Sequence, residues 1–208
     1  MKKVVILADG EFPRHPEPLS RLSRAEAVVC CDGAADKLLR FGRVPDWIVG
    51  DLDSVSPATR ARFADRLVKF SEQETNDLAK SFRFCRENAL SVTAVLGAGG
   101  GREDHLLGNL ARFAEASAYF PGCRLCTERG FFLAFSGEGK FDAAVGTQVS
   151  IFSFDPSARI TSSGLKYPLE DLALPWWYSG TLNEVETAPF TLRSDSSAPV
   201  LLFFRYGT

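Results

Sequence analysis

Asp51, Asp53 and Asp77 are carboxylates at positions where an α/β sequence places its ligands. Asp51-Leu52-Asp53 follows the apolar run 47–50. Two hard oxygen donors therefore stand one residue apart just past a predicted strand, where both can reach one cation. They suit Mg²⁺, which keeps several waters and takes one or two protein carboxylates along with substrate phosphates. Asp77 opens a predicted helix and can complete the group. Each acid taken alone reads first as a helix cap or a turn residue. Acids recurring at the strand ends of an open sheet instead mark the edge where such sheets bind ligands.

The second chemical feature is Gly97-Ala98-Gly99-Gly100-Gly101-Arg102-Glu103-Asp104-His105, between the β-branched run 91–96 and a helical pattern. The successive glycines Gly99, Gly100 and Gly101 let the backbone come close to an anion and turn N–H groups toward it, and the following helix adds its positive end. Arg102 adds a forked donor. The bland alternative is a tight strand-to-helix turn. A Walker loop requires Gly-Lys-Ser/Thr, and the dinucleotide fingerprint needs a glycine where Arg102 stands, so the loop is neither. An aspartyl-phosphate hydrolase would carry its nucleophile after the first strand, whereas Asp51 follows the third and the glycine–arginine loop would have no task. Lys80, one helical turn after Asp77, is expected to face the same rim and pair with phosphate or with Asp77; the alternative is a solvated helix charge. Asp9 and Gly10 end the first predicted strand and Asp32 the second, at the same edge of the sheet, and Asp104 follows the glycine loop. His105 reads as a hydrogen-bonded neighbour of the loop rather than a catalyst, because metal-assisted phosphoryl chemistry needs no imidazole.

The chain of 208 residues is 45% hydrophobic, enough for one large domain or two small ones. Its net charge of −2, with scattered basic residues, argues against nucleic acid as a partner. No apolar stretch approaches a membrane span, and residues 1–9 reach an acid too early for a signal peptide, so a cytoplasmic chain is expected. Five cysteines, an odd number, predict free thiols. Cys123-Arg124-Leu125-Cys126 has a spacing that suits zinc, but no second cysteine pair exists and the histidines are only His15 and His105, so it reads as a strand.

The apolar runs 4–8, 27–31, 47–49, 67–70 and 92–96 alternate with helical patterns, as in a parallel sheet with helices on its faces. Helices are predicted over 76–88, with Leu78, Phe82 and Cys85 on one stripe, and over 103–119, with Leu106, Leu110 and Phe113 together. Beyond about Leu125 the segments 130–136, 147–154, 159–162, 180–187 and 200–206 are short and aromatic or β-branched. The fold class expected is an α/β domain over 1–124 with a mainly parallel sheet, followed by a small antiparallel sandwich or barrel over 125–208. The cluster 194–197 reads as a mobile turn without function.

Four blocks in order carry a family resemblance: Asp32-Gly33-Ala34-Ala35-Asp36, Pro45 through Ser54, Thr75-Asn76-Asp77-Leu78-Ala79-Lys80, and Gly99 through His105 with Asn109. They resemble the signature of thiamine pyrophosphokinases, and residues 164–169 and 180–184 extend the resemblance toward the C-terminus. Asn76 stands where the family often has Thr, and Tyr167 where many eukaryotic members have Trp. The resemblance implies transfer of pyrophosphate from ATP to the hydroxyl of thiamine, leaving AMP. It implies Mg²⁺ at Asp51, Asp53 and Asp77, one of which, Asp77 first, can instead accept the hydroxyl proton. Arg102 would act on the transferring group. Asp9, Gly10, Asp32, Gly33, Lys80, Gly99, Gly100, Gly101, Asp104, His105 and Asn109 would bind nucleotide, with Tyr167, Thr181 and Asn183 against thiamine.

Thiamine is a cation with two flat rings, which aromatic faces suit. Tyr167, Trp176, Trp177 and Tyr178 offer them, at least two of the four being expected in the β core or covering a sheet edge. The resemblance further implies a homodimer with shared active sites. Two other readings stand beside it: a different Mg²⁺-dependent nucleotide-using phosphotransferase, and a nucleotide-binding sensor without turnover.

Overall fold

A computed structural model describes residues 1–207. The chain forms two compact units, Met1–Glu128 and Arg129–Thr208. In the first, strands β1 (Lys3–Leu7), β2 (Ala27–Cys31), β3 (Trp47–Gly50), β4 (Leu67–Lys69), β5 (Ser91–Leu96) and β6 (Arg124–Cys126) line up as β6-β5-β1-β2-β3-β4. Every pairing is parallel. Val4–Leu7 and all of β2 are buried, the near-continuous apolar reading of strands covered on both faces. Because β6 pairs with β5, it lies in this first unit, which continues past the division at 124/125 expected from the sequence.

The helices are α1 (Pro16–Arg24), α2 (Ala34–Arg40), α3 (Pro57–Arg62), α4 (Asp77–Glu87) and α5 (Glu103–Ala116). Asn76 caps α4, its side chain accepting from the Ala79 N–H at 3.0 Å, and Leu78, Phe82 and Cys85 are buried along one stripe as expected. The fifth helix ends at Ala116, short of the expected 119. Chain order places β2, β3 and β4 on one side of β1 and β5 and β6 on the other. Such a reversal opens a crevice at the carboxyl ends of the strands beside it. Those ends run into Asp9-Gly10, Asp32-Gly33, Asp51-Leu52-Asp53 and the glycine loop.

The second unit contains β7 (Gly130–Phe135), β8 (Glu138–Phe141), β9 (Gln148–Ser153), β10 (Arg159–Ser163), β11 (Leu172–Ala173), β12 (Gly180–Glu184), β13 (Phe190–Ser194) and β14 (Val200–Arg205). They form two antiparallel layers, β12-β9-β14-β7 and β11-β10-β13-β8. Val149, Ile151, Leu202 and Phe204 of one layer pack with Ile160, Phe190 and Leu192 of the other. The unit is therefore a sandwich. The sequence pattern does not predict the strands β8, β11 and β13. Ser194 is the buried end of β13 and the Ser196 hydroxyl donates to Asp155 Oδ2 at 2.6 Å, which ties down the segment read as a mobile turn. All five cysteines are buried, and burial pushes the thiols of Cys30, Cys31, Cys85 and Cys123 up. Among the described residues no helix is long and apolar enough to cross a membrane.

Candidate active site

The carboxyl ends of β2 and β3 bring three acids together. Asp32, Asp51 and Asp53 each offer a carboxylate oxygen, and the three atoms lie within 4.8 Å of one another. Two left-handed backbone positions shape the group: Asp32 has φ 45° and Leu52 has φ 71°. Aspartate tolerates that region, whereas a leucine there is held by its surroundings, and the Leu52 side chain is buried. Behind the loop, Asp36 of α2 accepts from the Ser56 N–H at 2.9 Å, the Ser56 hydroxyl at 2.7 Å and the Thr59 hydroxyl at 2.6 Å. These bonds hold its carboxyl below the usual range against the opposing cost of burial.

The acids differ electrostatically. Asp32 is 2% exposed and neither carboxylate oxygen has a hydrogen-bond partner. Burial, then the adjacent Asp51 side chain and the charge of Asp77, push its carboxyl up to about 7. Asp51 moves the other way, chiefly because the Asp53 N–H donates to Oδ1 at 3.1 Å, with Gln73 Nε2 donating to Oδ2 at 3.3 Å. Asp77 is raised by burial, opposed by the buried Lys80 ammonium 3.1 Å from its Oδ1. Gly50 separates the two buried-side acids. A Cβ there would stand 3.1 Å from Asp32 Cβ and 3.3 Å from Asp77 Oδ1, so a larger residue would make these side chains give way by a few tenths of an ångström.

The glycine loop closes the other wall. Gly97 and Gly100 have positive φ, and the Gly10 and Glu11 N–H groups donate to the carbonyls of Gly97 and Gly99, both at 2.8 Å. Asn109 Nδ2 donates to the Ala98 carbonyl at 2.8 Å while its Oδ1 accepts from Asn76 Nδ2 at 3.0 Å. The loop is thereby fastened to the cap of α4, beside Asp77. Arg102 is exposed and forks onto Asp104 through Nε at 3.1 Å and Nη2 at 2.5 Å, which holds Asp104 near 2. The exposed His105 gives its N–H to Asp104 at 3.0 Å.

A cleft of about 620 Å³ gathers Asp9, Gly10, Asp51, Asp77, Lys80, Gly99, Gly101, Arg102, Asp104, His105 and Asn109 along its walls. Asp32 lies buried beside Asp51, and Asp53 is on the exposed rim. Gly33 packs under Asp9, whose Oδ2 is 2.7 Å from where a Cβ would be. The sequence pattern does not single out Gln73, which lines the cleft, or Gly50 and Lys37, which stand behind its walls. Lys37 had a signal, standing four residues after Gly33 at helical spacing.

The remaining candidates belong to the second unit. Asn183 is buried and its amide is spent on backbone: Oδ1 accepts from the Tyr167 and Glu184 N–H groups at 3.1 and 2.9 Å, and Nδ2 donates to the Tyr167 carbonyl at 2.7 Å. It fixes the segment that presents Tyr167, which is 59% exposed; Thr181 is exposed too. Trp176, Trp177 and Tyr178 are all exposed as well, so none of the four aromatics enters the core. Trp177 alone covers the sheet, stacking on Phe154 at 6.0 Å and lying 5.7 Å from Phe152.

A parallel sheet with a reversal point, a carboxylate group and a glycine loop sharing one cleft define a transferase of the kinase type. The thiamin pyrophosphokinase catalytic domain matches residues 19–126, and the thiamin pyrophosphokinase substrate-binding domain matches residues 130–203. The chain belongs to the thiamin pyrophosphokinase family. Thiamine pyrophosphokinase 3 of Oryza sativa is 30% identical, over 83% of this chain and 77% of its own length. Thiamin pyrophosphokinase 1 of Caenorhabditis elegans is 29% identical, over 87% and 83%. The solved thiamin pyrophosphokinase of Candida albicans superposes with a TM-score of 0.82 at 16% identity, covering 99% of this chain and 89% of that one, a likeness of fold.

Proposed function

We propose that the chain transfers the terminal pyrophosphoryl group of ATP to the hydroxyl of thiamine, giving thiamine pyrophosphate and AMP. The observation that carries this reading is the meeting of Asp32, Asp51 and Asp53 beside the glycine loop, in a chain matched by both thiamin pyrophosphokinase domains. The thiamine hydroxyl oxygen bonds to the β-phosphorus as the bond from that phosphorus to the α,β-bridging oxygen breaks. AMP leaves with the bridging oxygen, and the hydroxyl proton passes to a carboxylate. Asp77 is assigned that proton, because its raised affinity for protons makes it a better base than Asp51. Lys80 keeps its carboxyl oriented.

The donor set fits Mg²⁺. Asp32, Asp51, Asp53 and Asp77 stand close together with Lys80 paired to Asp77, and the two buried oxygens of Asp32 have no partner. Asp32, Asp51 and Asp53 would hold the ion, which when bound neutralises charge on the phosphate oxygens. The glycine loop and Arg102 serve the phosphates, Arg102 by exchanging Asp104 for a phosphate oxygen of similar geometry. Asp9, Gly10, Gly33 and Asn109 shape the nucleotide side, with His105 at its rim.

No Phe, Tyr or Trp lines the cleft among the described residues, whereas Tyr167, Trp176 and Tyr178 are exposed on the second unit. The aromatic faces suited to thiamine thus belong to the second unit, and in the homodimer we infer from the family resemblance thiamine would be held by residues of both subunits, Tyr167 and Thr181 among them. The buried thiols suit a reducing cytoplasm. Incubation with ATP, Mg²⁺ and thiamine, followed by chromatography, is expected to yield AMP and thiamine pyrophosphate. ADP with thiamine monophosphate would overturn the reaction class, and nucleotide binding without AMP would leave a sensor.

A further inference from the structure

Helix α2 places adjacent charges on two different loops of the cleft. Asp36 grips the segment that follows the acid group, as described. Lys37 turns to the other side, where its Nζ donates to the carbonyls of Asp9 and Gly10, both at 2.7 Å, and pairs with Asp9 Oδ1 at 2.8 Å. Three partners use all three ammonium hydrogens. The turn held this way is the one whose Gly10 and Glu11 N–H groups bond to the glycine loop. Its packing leaves no slack, since a Cβ on Gly10 would meet the carbonyl oxygens of Gly97 and Gly99 at 2.4 Å. Asp9 and Gly10 line the cleft and Lys37 does not.

We propose that Lys37 is a positioning residue for the nucleotide, setting the Asp9-Gly10 turn and through it the glycine loop; this rests on the nucleotide-dependent reading above. Without the ammonium, two carbonyls and a carboxylate face one another uncompensated, and the turn relaxes away from the glycine loop. The unpaired Asp9 charge would also stand at the edge of a site meant for phosphates.

The test compares Lys37→Met, Lys37→Gln and Lys37→Arg with the unaltered chain. It measures steady-state kinetics, affinity for α,β-methylene ATP, whose bridging carbon blocks transfer, and hydrogen exchange at the Gly10 and Glu11 amides. For Lys37→Met the expected result is about a tenfold rise in KM for ATP and in Kd for the analogue, with kcat and the KM for thiamine within about twofold. Exchange at the two amides should quicken. Lys37→Arg should recover most of the affinity, and Lys37→Gln should fall between.

Analogue affinity within about twofold of the original in Lys37→Met would overturn the proposal, as would equal losses toward both substrates, the mark of a merely structural role. An unaltered chain that binds the analogue yet never releases AMP refutes the pyrophosphokinase reading, while the affinity and exchange shifts still decide the role of Lys37. An unaltered chain that binds no nucleotide refutes both.

Discussion

Asp32 carries the heaviest electrostatic load of any acid in the site. Its carboxyl ionises near 7 in the folded chain against an ordinary 3.8, so between those values the folded state holds a proton that the unfolded state has released. Unfolding then releases protons, and stability falls as pH rises through that window. In the absence of divalent cations, the Tm should decline from about pH 5 to pH 8, and Asp32→Asn should flatten the decline. Asparagine also tolerates the left-handed backbone at this position, so the substitution isolates the charge. Calorimetry showing a flat profile for the unaltered chain would mean that Asp32 ionises normally. A second expectation separates metal ligands from the proton acceptor. Asp53→Asn should raise the Mg²⁺ concentration needed for half-maximal turnover and lower kcat, removing electrostatic stabilisation worth about 3 kcal/mol. Asp77→Asn should lower kcat with little change in the Mg²⁺ requirement, and an equal shift for both would place Asp77 among the ligands. The spacing of Asp51 and Asp53 was readable in the sequence because it is local. The burial of Asp32 and its lack of partners were not, since they depend on Gly50, which the pairing of β3 with β2 brings close, and on Asp77, which the packing of α4 brings there.

At the level of elements, the same distinction between local and distant signals decides what was legible. The parallel strands announced themselves as apolar runs and α4 as a capped periodic stripe, both short-range patterns. In β8 only Phe141 is buried and β11 is two residues long, so neither presents enough local pattern; β13 does alternate, with Phe190, Leu192 and Ser194 buried, but over only five residues between Pro189 and a serine-rich turn. Nothing local encodes the placement of β5 beside β1, yet that pairing is what sets the glycine loop against Asp9-Gly10. The Asn76–Asn109–Ala98 chain of hydrogen bonds belongs to this scale, because it joins α4, α5 and the loop. Asn109→Leu removes both bonds and leaves the Ala98 carbonyl without its donor, so denaturant unfolding should show a loss of about 2 kcal/mol. The kcat/KM for ATP should fall beyond what that loss explains, because Asp77 and the glycine loop no longer share a fixed spacing. Unfolding and kinetics both matching the unaltered chain would show that the loop is held without this bridge.

For the whole molecule the open matter is how chemistry is divided between the two units. The first holds every acid of the proposed metal and proton machinery, and the second holds the exposed aromatics together with the Asn183 strut that presents Tyr167. If thiamine lies between the first unit of one subunit and the second unit of its partner, inactive chains with defects in different units should complement each other. Asp53→Asn disables the first unit and Asn183→Ala releases the Tyr167 segment of the second. In a heterodimer of the two, both defects fall into the same shared site and the other site is intact. With equal amounts and free exchange, half the dimers are mixed and each has one working site, so about a quarter of the original activity should return. Size-exclusion measurements check the premise that each variant alone is dimeric, and a tagged chain reports exchange. Demonstrated exchange with no recovery would place the whole site within single subunits and reduce the dimer to a structural association.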